Sequence, residues 1–290
     1  MKPISLVLTI LLSAVLSVAA AFFVGPYLSS GTQHTPHDKE TRLEQVKRTG
    51  VLRCGYIVIP PFVTKDPNSG VMGGLLFDVV EEIGRQLKLK IEWTAETSWG
   101  QMPADLNLNH YDIIAGPVFR NPNHTREADF TNPLLYSPVF VYVRKDDARF
   151  DNNVERVNRP DVGVVATEGQ FIGLVAIEEF PKAKIIYLPQ LSTLTDQYMT
   201  VTAGKADATL SSPHSFAKYS ATNPGVLRPM ADKPVRLLAM SLPIPANEPA
   251  FKAILNTTLA YLHDSGFIDK TLKKYDDPVK FIRVAKPYAE

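Results

Sequence analysis

Between Val51 and Leu210 the sequence runs twice through alternating strand and helix signals, and this alternation limits the fold more than any other feature. Val51 to Tyr56 reads as a strand ended by Pro60-Pro61, and Leu76, Val79, Val80, Ile83 and Leu87 follow as an apolar stripe at helical spacing. Ile91 to Thr94 reads as a strand, Pro103 to Asn109 as a short helix, and Tyr111 to Ala115 as a third strand. A stretch from Pro138 to Arg144 then leads into a second series: strand at Val162–Val165, helix at Phe171–Glu179, strand at Lys184–Tyr187, helix at Leu191–Ala203, strand at Ala206–Leu210. Two such β-α-β series predict two α/β lobes, each a mostly parallel sheet with helices on its faces. Phe251, Ile254, Leu255, Leu259 and Leu262 put a further amphipathic helix near the end of the chain, stopped by Gly266.

Charge and cysteine content remove other classes. The 290 residues carry 31 Lys+Arg against 30 Asp+Glu, a net charge of +1, so no sequence-wide field draws nucleic acid or an anionic membrane. One cysteine, Cys54, forms neither an internal disulfide nor a thiolate cage, and it reads as a buried strand thiol. Residues Ile4 to Val24 carry no charge and form an export segment, removed after Ala19-Ala20-Ala21 or retained as an anchor. Either outcome leaves the remainder outside the cytoplasm, in the periplasm. Ser29 to Glu40 contains no apolar residue and reads as a tether. No P-loop, dinucleotide glycine fingerprint, Gly-x-Ser-x-Gly or His-Glu-x-x-His occurs, and no cofactor or metal is expected. Ser211 and His214, three apart, read as helix-start residues.

A set of short segments in fixed order carries a resemblance. Thr49-Gly50-Val51-Leu52-Arg53, Pro60-Pro61-Phe62, Gly74 with Asp78 four residues on, Tyr111 to Gly116 and Ala128 to Pro133 come first. Val143 to Asp147, Ala203 to Ala208, Leu262 to Gly266 and Lys270 to Tyr275 follow. In this order they resemble the extracellular solute-binding proteins of family 3, best known for binding amino acids for ABC importers. The resemblance implies a type II periplasmic-binding-protein-like α/β clamshell with a two-strand hinge. Its expected organisation is an export segment at 1–24, a linker at 25–42, lobe 1 at 43–143 plus 239–290, and lobe 2 at 144–238. It implies a monomer that takes a small-molecule solute in the interlobe cleft and hands it to an ABC transporter permease. Membrane contact would come only through residues 4–24 if they stay uncleaved.

The candidate ligand residues lie at strand ends that such a cleft would gather. Tyr56, Phe62 and Trp99 offer aromatic faces for a sandwich, with ordinary lobe packing as the other reading. Ala115-Gly116 ends a strand without bulk, so a ligand anion can approach its backbone, and the resemblance adds position Val118, preceded by Pro117. The resemblance also places a carboxylate-binding arginine five residues before Asp129, where this chain has His124, leaving Arg120 and Arg126 as flanking substitutes or solvated surface charges. An ammonium-binding aspartate is expected where Ser211-Ser212 stand, and an anion-binding helix start where Glu168-Gly169 stand. These departures argue against a zwitterionic α-amino acid and toward a ligand with a cationic or hydroxyl-rich part. The clamshell also resembles periplasmic cyclohexadienyl dehydratases, in which a cleft carboxylate acts as general acid; Glu168 with His124 would be the catalytic pair on that reading. A membrane-tethered ligand sensor is the third class.

Overall fold

The computed structural model describes residues 40–98, 100–120, 126–151, 153–168, 170–189, 191–275 and 282–283. The chain divides after Thr41 into two units, and everything below concerns the second, residues 42–290. The expected export segment and most of the expected linker lie outside the described residues. Among the described residues, no helix is long and apolar enough to cross a membrane.

Helix α1 (Arg42–Thr49) leads through Gly50 into strand β1 (Val51–Tyr56), and a small hairpin β2 (Thr64–Lys65) and β3 (Met72–Gly73) precedes helix α2 (Leu75–Leu87). The apolar stripe read from sequence turns inward: Leu76, Val79, Val80 and Ile83 are each at most 1% exposed. Burying side chains of this size contributes roughly 1.5–3 kcal/mol each, which is why this helix forms the wall of the first core. Strand β4 (Lys90–Glu96), helix α3 (Met102–Asn107) and strand β5 (Ile113–Ala115) complete a parallel sheet in the order β4-β1-β5.

Strand β6 (Ala128–Phe130) precedes the long strand β7 (Leu135–Arg144). The second series then gives β8 (Gly163–Thr167), α4 (Phe171–Glu179), β9 (Lys184–Leu188), α5 (Leu194–Thr202), β10 (Ala208–Ser211) and α6 (Pro213–Thr222). Strand β11 (Leu227–Pro229) pairs with β7, so the second sheet runs β11-β7-β10-β8-β9. Strand β12 (Arg236–Met240) returns along β7, and β13 (Pro243–Pro245) pairs with β6. Helices α7 (Pro249–Asp264) and α8 (Phe267–Tyr275), joined through Gly266 at φ +71°, close the first core, and β14 (Ile282–Arg283) adds to β7.

Among the described residues, the two largest of the four apolar clusters mark the lobes. Leu52, Leu76, Ile113, Leu134, Leu135, Met240, Leu242 and Leu255 belong to the first, and Val139, Val141, Val143, Val164, Leu210 and Leu238 to the second. The chain therefore passes between cores along β7 between Leu135 and Val139, earlier than the 143/144 boundary read from sequence, and returns along β12 between Leu238 and Met240. The reason is the register of β7: its second half, Phe140 to Val143, is already paired to β10 of lobe 2. Antiparallel β7 and β12 form the expected two crossing strands, and β14 lies on β7 at Leu135 and Tyr136 as a third neighbour.

The same device ties one parallel strand pair in each sheet, β1–β5 in the first and β8–β10 in the second, mixed sheet, where β7 runs antiparallel to β10, β11, β12 and β14. Asp112, just before β5, donates its amide to Arg53 O (2.9 Å) and accepts the Arg53 amide on Oδ2 (2.8 Å). Asp207, just before β10, donates its amide to Gly163 O (2.8 Å) and accepts the Gly163 amide on Oδ2 (2.9 Å). Each carboxylate accepts a backbone amide one residue ahead of the first pair of its two strands, Cys54–Ile113 in one sheet and Val164–Ala208 in the other. Arginines neutralise both: Arg42 Nη1 (2.8 Å) and Arg53 Nη2 (2.7 Å) at Asp112, and Arg149 Nη2 (2.6 Å) at Asp207. Burial acts to raise the Asp207 value, but the Gly163 amide and Arg149 outweigh it and hold the group below the usual carboxylate range.

Candidate functional site

The carboxyl ends of β1 and β5 in lobe 1, and of β8 and β10 in lobe 2, are where a ligand cleft is expected in sheets of this topology. In lobe 1 the Ile57 amide donates to Ala115 O (2.9 Å), extending the β1–β5 pairing to Ala115. Gly116 lies against Ile57, and a Cβ there would come within 3.2 Å of that side chain. The Val118 amide donates back to Gly116 O (2.7 Å), and the Val118 side chain is buried among Ile57, Tyr111 and Ile114. Val118 therefore faces the lobe interior with its amide already used, which corrects its placement as a ligand residue.

Tyr56 is also turned inward. Its ring meets Trp93 edge-on at 6.2 Å inside the first core, and its hydroxyl accepts from Lys65 Nζ (3.0 Å). Of the two readings left open for it, lobe packing is the one realised. Phe62 differs: it is buried, but its ring lies 6.0 Å from the His214 ring of lobe 2 at an interplanar angle of 67°. Gly74 makes this placement possible. At φ +115° its backbone comes so close to the Phe62–Val63 segment that a Cβ would sit 2.5 Å from Phe62 O.

In lobe 2, Ser211 is 3% exposed; its hydroxyl accepts from Tyr198 (2.6 Å) and donates to Ser212 O (3.4 Å). Ser212 is the N-cap of α6, its Oγ accepting the Ser215 amide (3.3 Å), with Pro213 at the first helical position. Both hydroxyls thus serve the lobe's own backbone and side chains. Glu168 is exposed on the loop past β8, its amide donating to Leu188 O (2.9 Å), and the helix begins only at Phe171. Glu168 is consequently a loop carboxylate outside the helix end.

Beneath that loop lies a buried network not anticipated from sequence. Gln197, fully buried, donates through Nε2 to Thr167 Oγ1 (2.9 Å) and Gln170 Oε1 (3.3 Å), and accepts on Oε1 from Thr209 (3.0 Å). It joins the end of β8 and the middle of β10 to the segment carrying Glu168. The signal in the sequence was a glutamine on the apolar side of a short helix, where its burial could not be read without the partner strands.

Arg120 is exposed, and its amide donates to Ala239 O (3.1 Å) on the returning hinge strand; Arg126 is exposed as well. Trp99, His124 and Gly169 lie outside the described residues. The residue that sequence reading missed at the cleft is His214, taken there only as part of a helix start. Its Nε2 lies 3.1 Å from Pro60 O across the two lobes. Burial holds its imidazole below the ordinary value, against the Pro60 carbonyl, which favours the charged form, and with Lys218, which disfavours it.

Other chemistry finds no seat among the described residues. Cys54 is fully buried, and that burial pushes its thiol far above the usual range, away from nucleophilic use. No group of three or more His, Cys, Asp or Glu among them is arranged to hold a metal ion. Two open grooves of about 470 and 580 Å³ are lined by Asp129, Lys252 and Asn256 and by Phe77, Glu81 and Lys270, all from lobe 1.

Comparison with known proteins agrees with this architecture. The model of the bacterial extracellular solute-binding proteins, family 3, matches residues 52–277. The chain belongs to that family. A cyclohexadienyl dehydratase of Pseudomonas aeruginosa is 23% identical over 239 residues, covering 82% of this chain and 87% of that protein. A probable amino-acid ABC transporter-binding protein of Haemophilus influenzae is 30% identical over 105 residues, covering 36% of this chain and 40% of that protein. Among solved structures, an ancestral amino acid-binding protein described as a precursor of cyclohexadienyl dehydratase superposes with a TM-score of 0.64 at 25% identity, over 81% of this chain and 99% of that one.

Proposed function

We propose that this protein captures a small polar solute between its lobes outside the cytoplasm and delivers it to an ABC permease, and that the solute is not an ordinary zwitterionic α-amino acid. Family membership and the two-lobed architecture support the first part. One observation carries the second: the strand end where an ammonium-binding carboxylate is expected holds Ser211 and Ser212, whose hydroxyls are engaged by Tyr198 and by the α6 amide. A neutral hydroxyl hydrogen-bonds an ammonium without neutralising it, so closing the lobes over that charge costs desolvation that nothing at this strand end offsets. Glu168, exposed on the loop past the neighbouring strand β8 of the same lobe, supplies a negative charge at a different position and suits a cation or a hydroxyl-rich group.

Calorimetry with the common L-amino acids is the direct test, with weak or no heat expected for each; micromolar binding of any of them would sink the second part. The similarity to cyclohexadienyl dehydratase over 82% of the chain favours one further reading, an enzyme using Glu168 as acid. Acid catalysis by a carboxyl calls for enclosure in a dry cleft, whereas Glu168 is exposed. The binder is therefore the preferred reading, and prephenate turnover abolished by Glu168→Gln would reverse that order.

A further inference from the structure

Among the described residues, His214 makes both a hydrogen bond and a ring contact across the two lobes. It occupies the second helical position of α6, and its Nε2 faces the Pro60 carbonyl of lobe 1 at 3.1 Å while its ring meets Phe62 edge-on at 6.0 Å. A carbonyl oxygen only accepts, so Nε2 carries the hydrogen, and the neutral ring must then hold a bare lone pair at Nδ1. That Nδ1 is buried and has no hydrogen-bond partner. The neutral tautomer therefore suits the contact at the cost of one unfilled acceptor. The protonated ring would bring a second N–H to a buried Nδ1 that has no acceptor, and a full charge onto a ring that is half-buried.

We propose that His214 is a proton-released clasp on the cleft: neutral, it holds lobe 2 to the Pro60–Phe62 segment, and protonated, it lets the lobes part. This rests on the reading that the lobes close over a solute. The charges around the ring are few. Lys218, one turn along the same helix, disfavours protonation with the lobes together or apart, so its effect largely cancels. The positive end of α6 does the same. From lobe 1 the segment Pro60 to Val63 presents a carbonyl and an aromatic ring and no titratable side chain. Opening removes both the cover over the ring and the Pro60 carbonyl; the carbonyl favours the charged form, but burial is the larger of the two causes, so the imidazole is held lower with the lobes together.

The sign follows. A histidine whose value is depressed in the closed form binds fewer protons there than in the open form, so closure is at full strength above about pH 6.5 and weakens as pH falls through that value. The ratio of closed to open molecules drops by at most about tenfold per pH unit below it, until the closed-state value is passed.

Spin labels at Lys47→Cys in lobe 1 and Lys205→Cys in lobe 2, both exposed positions, report the interlobe distance by double electron–electron resonance in the full chain. The buried Cys54 stays unlabelled. With no solute added, the closed fraction of otherwise wild-type protein is expected to fall between pH 8 and pH 5. His214→Gln, which keeps an N–H at the reach of Nε2 and does not titrate, is expected to show no such fall. His214→Asn, too short to reach Pro60 O, is expected to be open at both pH values and serves if the glutamine variant does not fold. A closed fraction that ignores pH in wild type, or falls equally in the variants, overturns the clasp. Because solute is absent, these distances remain readable even if the solute-binding reading fails, so the two failures are told apart.

Discussion

Removing the charge of Asp112 strands two arginines in lobe 1. Its side chain is 1% exposed and takes four contacts: the Arg53 amide at 2.8 Å, Arg53 Nη2 at 2.7 Å, Arg53 Nε at 3.3 Å and Arg42 Nη1 at 2.8 Å. Asp112→Asn keeps the shape and one carbonyl oxygen, but it turns an amide N–H₂ toward guanidinium donors and strips both cations of their counter-charge. Arg53 retains water on its exposed edge, since its side chain is 23% exposed, whereas Arg42 at 8% does not. Breaking one partner of a buried ion pair costs about 3–5 kcal/mol, a large share of the roughly 5–15 kcal/mol that holds a domain folded. With a urea slope of about 3 kcal/mol/M, the unfolding midpoint should drop by about 1–1.7 M. Trp93, stacked on Phe77 at 4.8 Å in the same lobe, gives the fluorescence signal. Adding Arg42→Met to Asp112→Asn should recover part of the loss, because the stranded cation is then gone. A midpoint shift below about 0.3 M, equivalent to less than about 1 kcal/mol at that slope, or strictly additive losses in the double variant, would refute the reasoning.

Two further outcomes test the lobe 2 tie and the cleft segment. Asp207 is held below the ordinary carboxylate value in the folded protein, so its contribution is present above about pH 4 and is lost as pH falls through the folded value. Urea midpoints should thus decline from pH 5 to pH 3 in wild type, and less steeply in Asp207→Asn, which starts lower; parallel declines would remove Asp207 from the account. Gly74→Ala forces a Cβ to 2.5 Å from Phe62 O at φ +115°, costing about 2 kcal/mol. Its Tm should fall by roughly 4–8 °C, and an unchanged Tm would show that the Pro60–Phe62 segment yields freely.

The departures at the site are more informative than its agreements. Ser212 shows why. Read as a ligand position it is a lost aspartate; in the structure it is an N-cap whose oxygen already holds the Ser215 amide. Asparagine, aspartate and serine cap helices about equally well, so capping alone does not decide which of them stands there. Tyr56 and Val118 show the opposite case, side chains that sit at strand ends in sequence and are fixed by packing on the inner side.

The amino-acid sequence by itself determined the two β-α-β series, the inward stripe of α2 and the glycine stop between α7 and α8, because each depends on periodicity or backbone freedom within a few residues. It also carried the motifs that identify the family, including Asp112 and Asp207, without revealing that both perform one task. Only the tertiary structure decided where the chain crosses between cores, because that depends on which half of β7 pairs with β10. It alone brought His214 to Pro60, 154 positions apart in sequence, across a cleft that no local pattern describes. Contacts between distant segments arise from sheet register and lobe geometry, and those are settled by the packing of the whole chain.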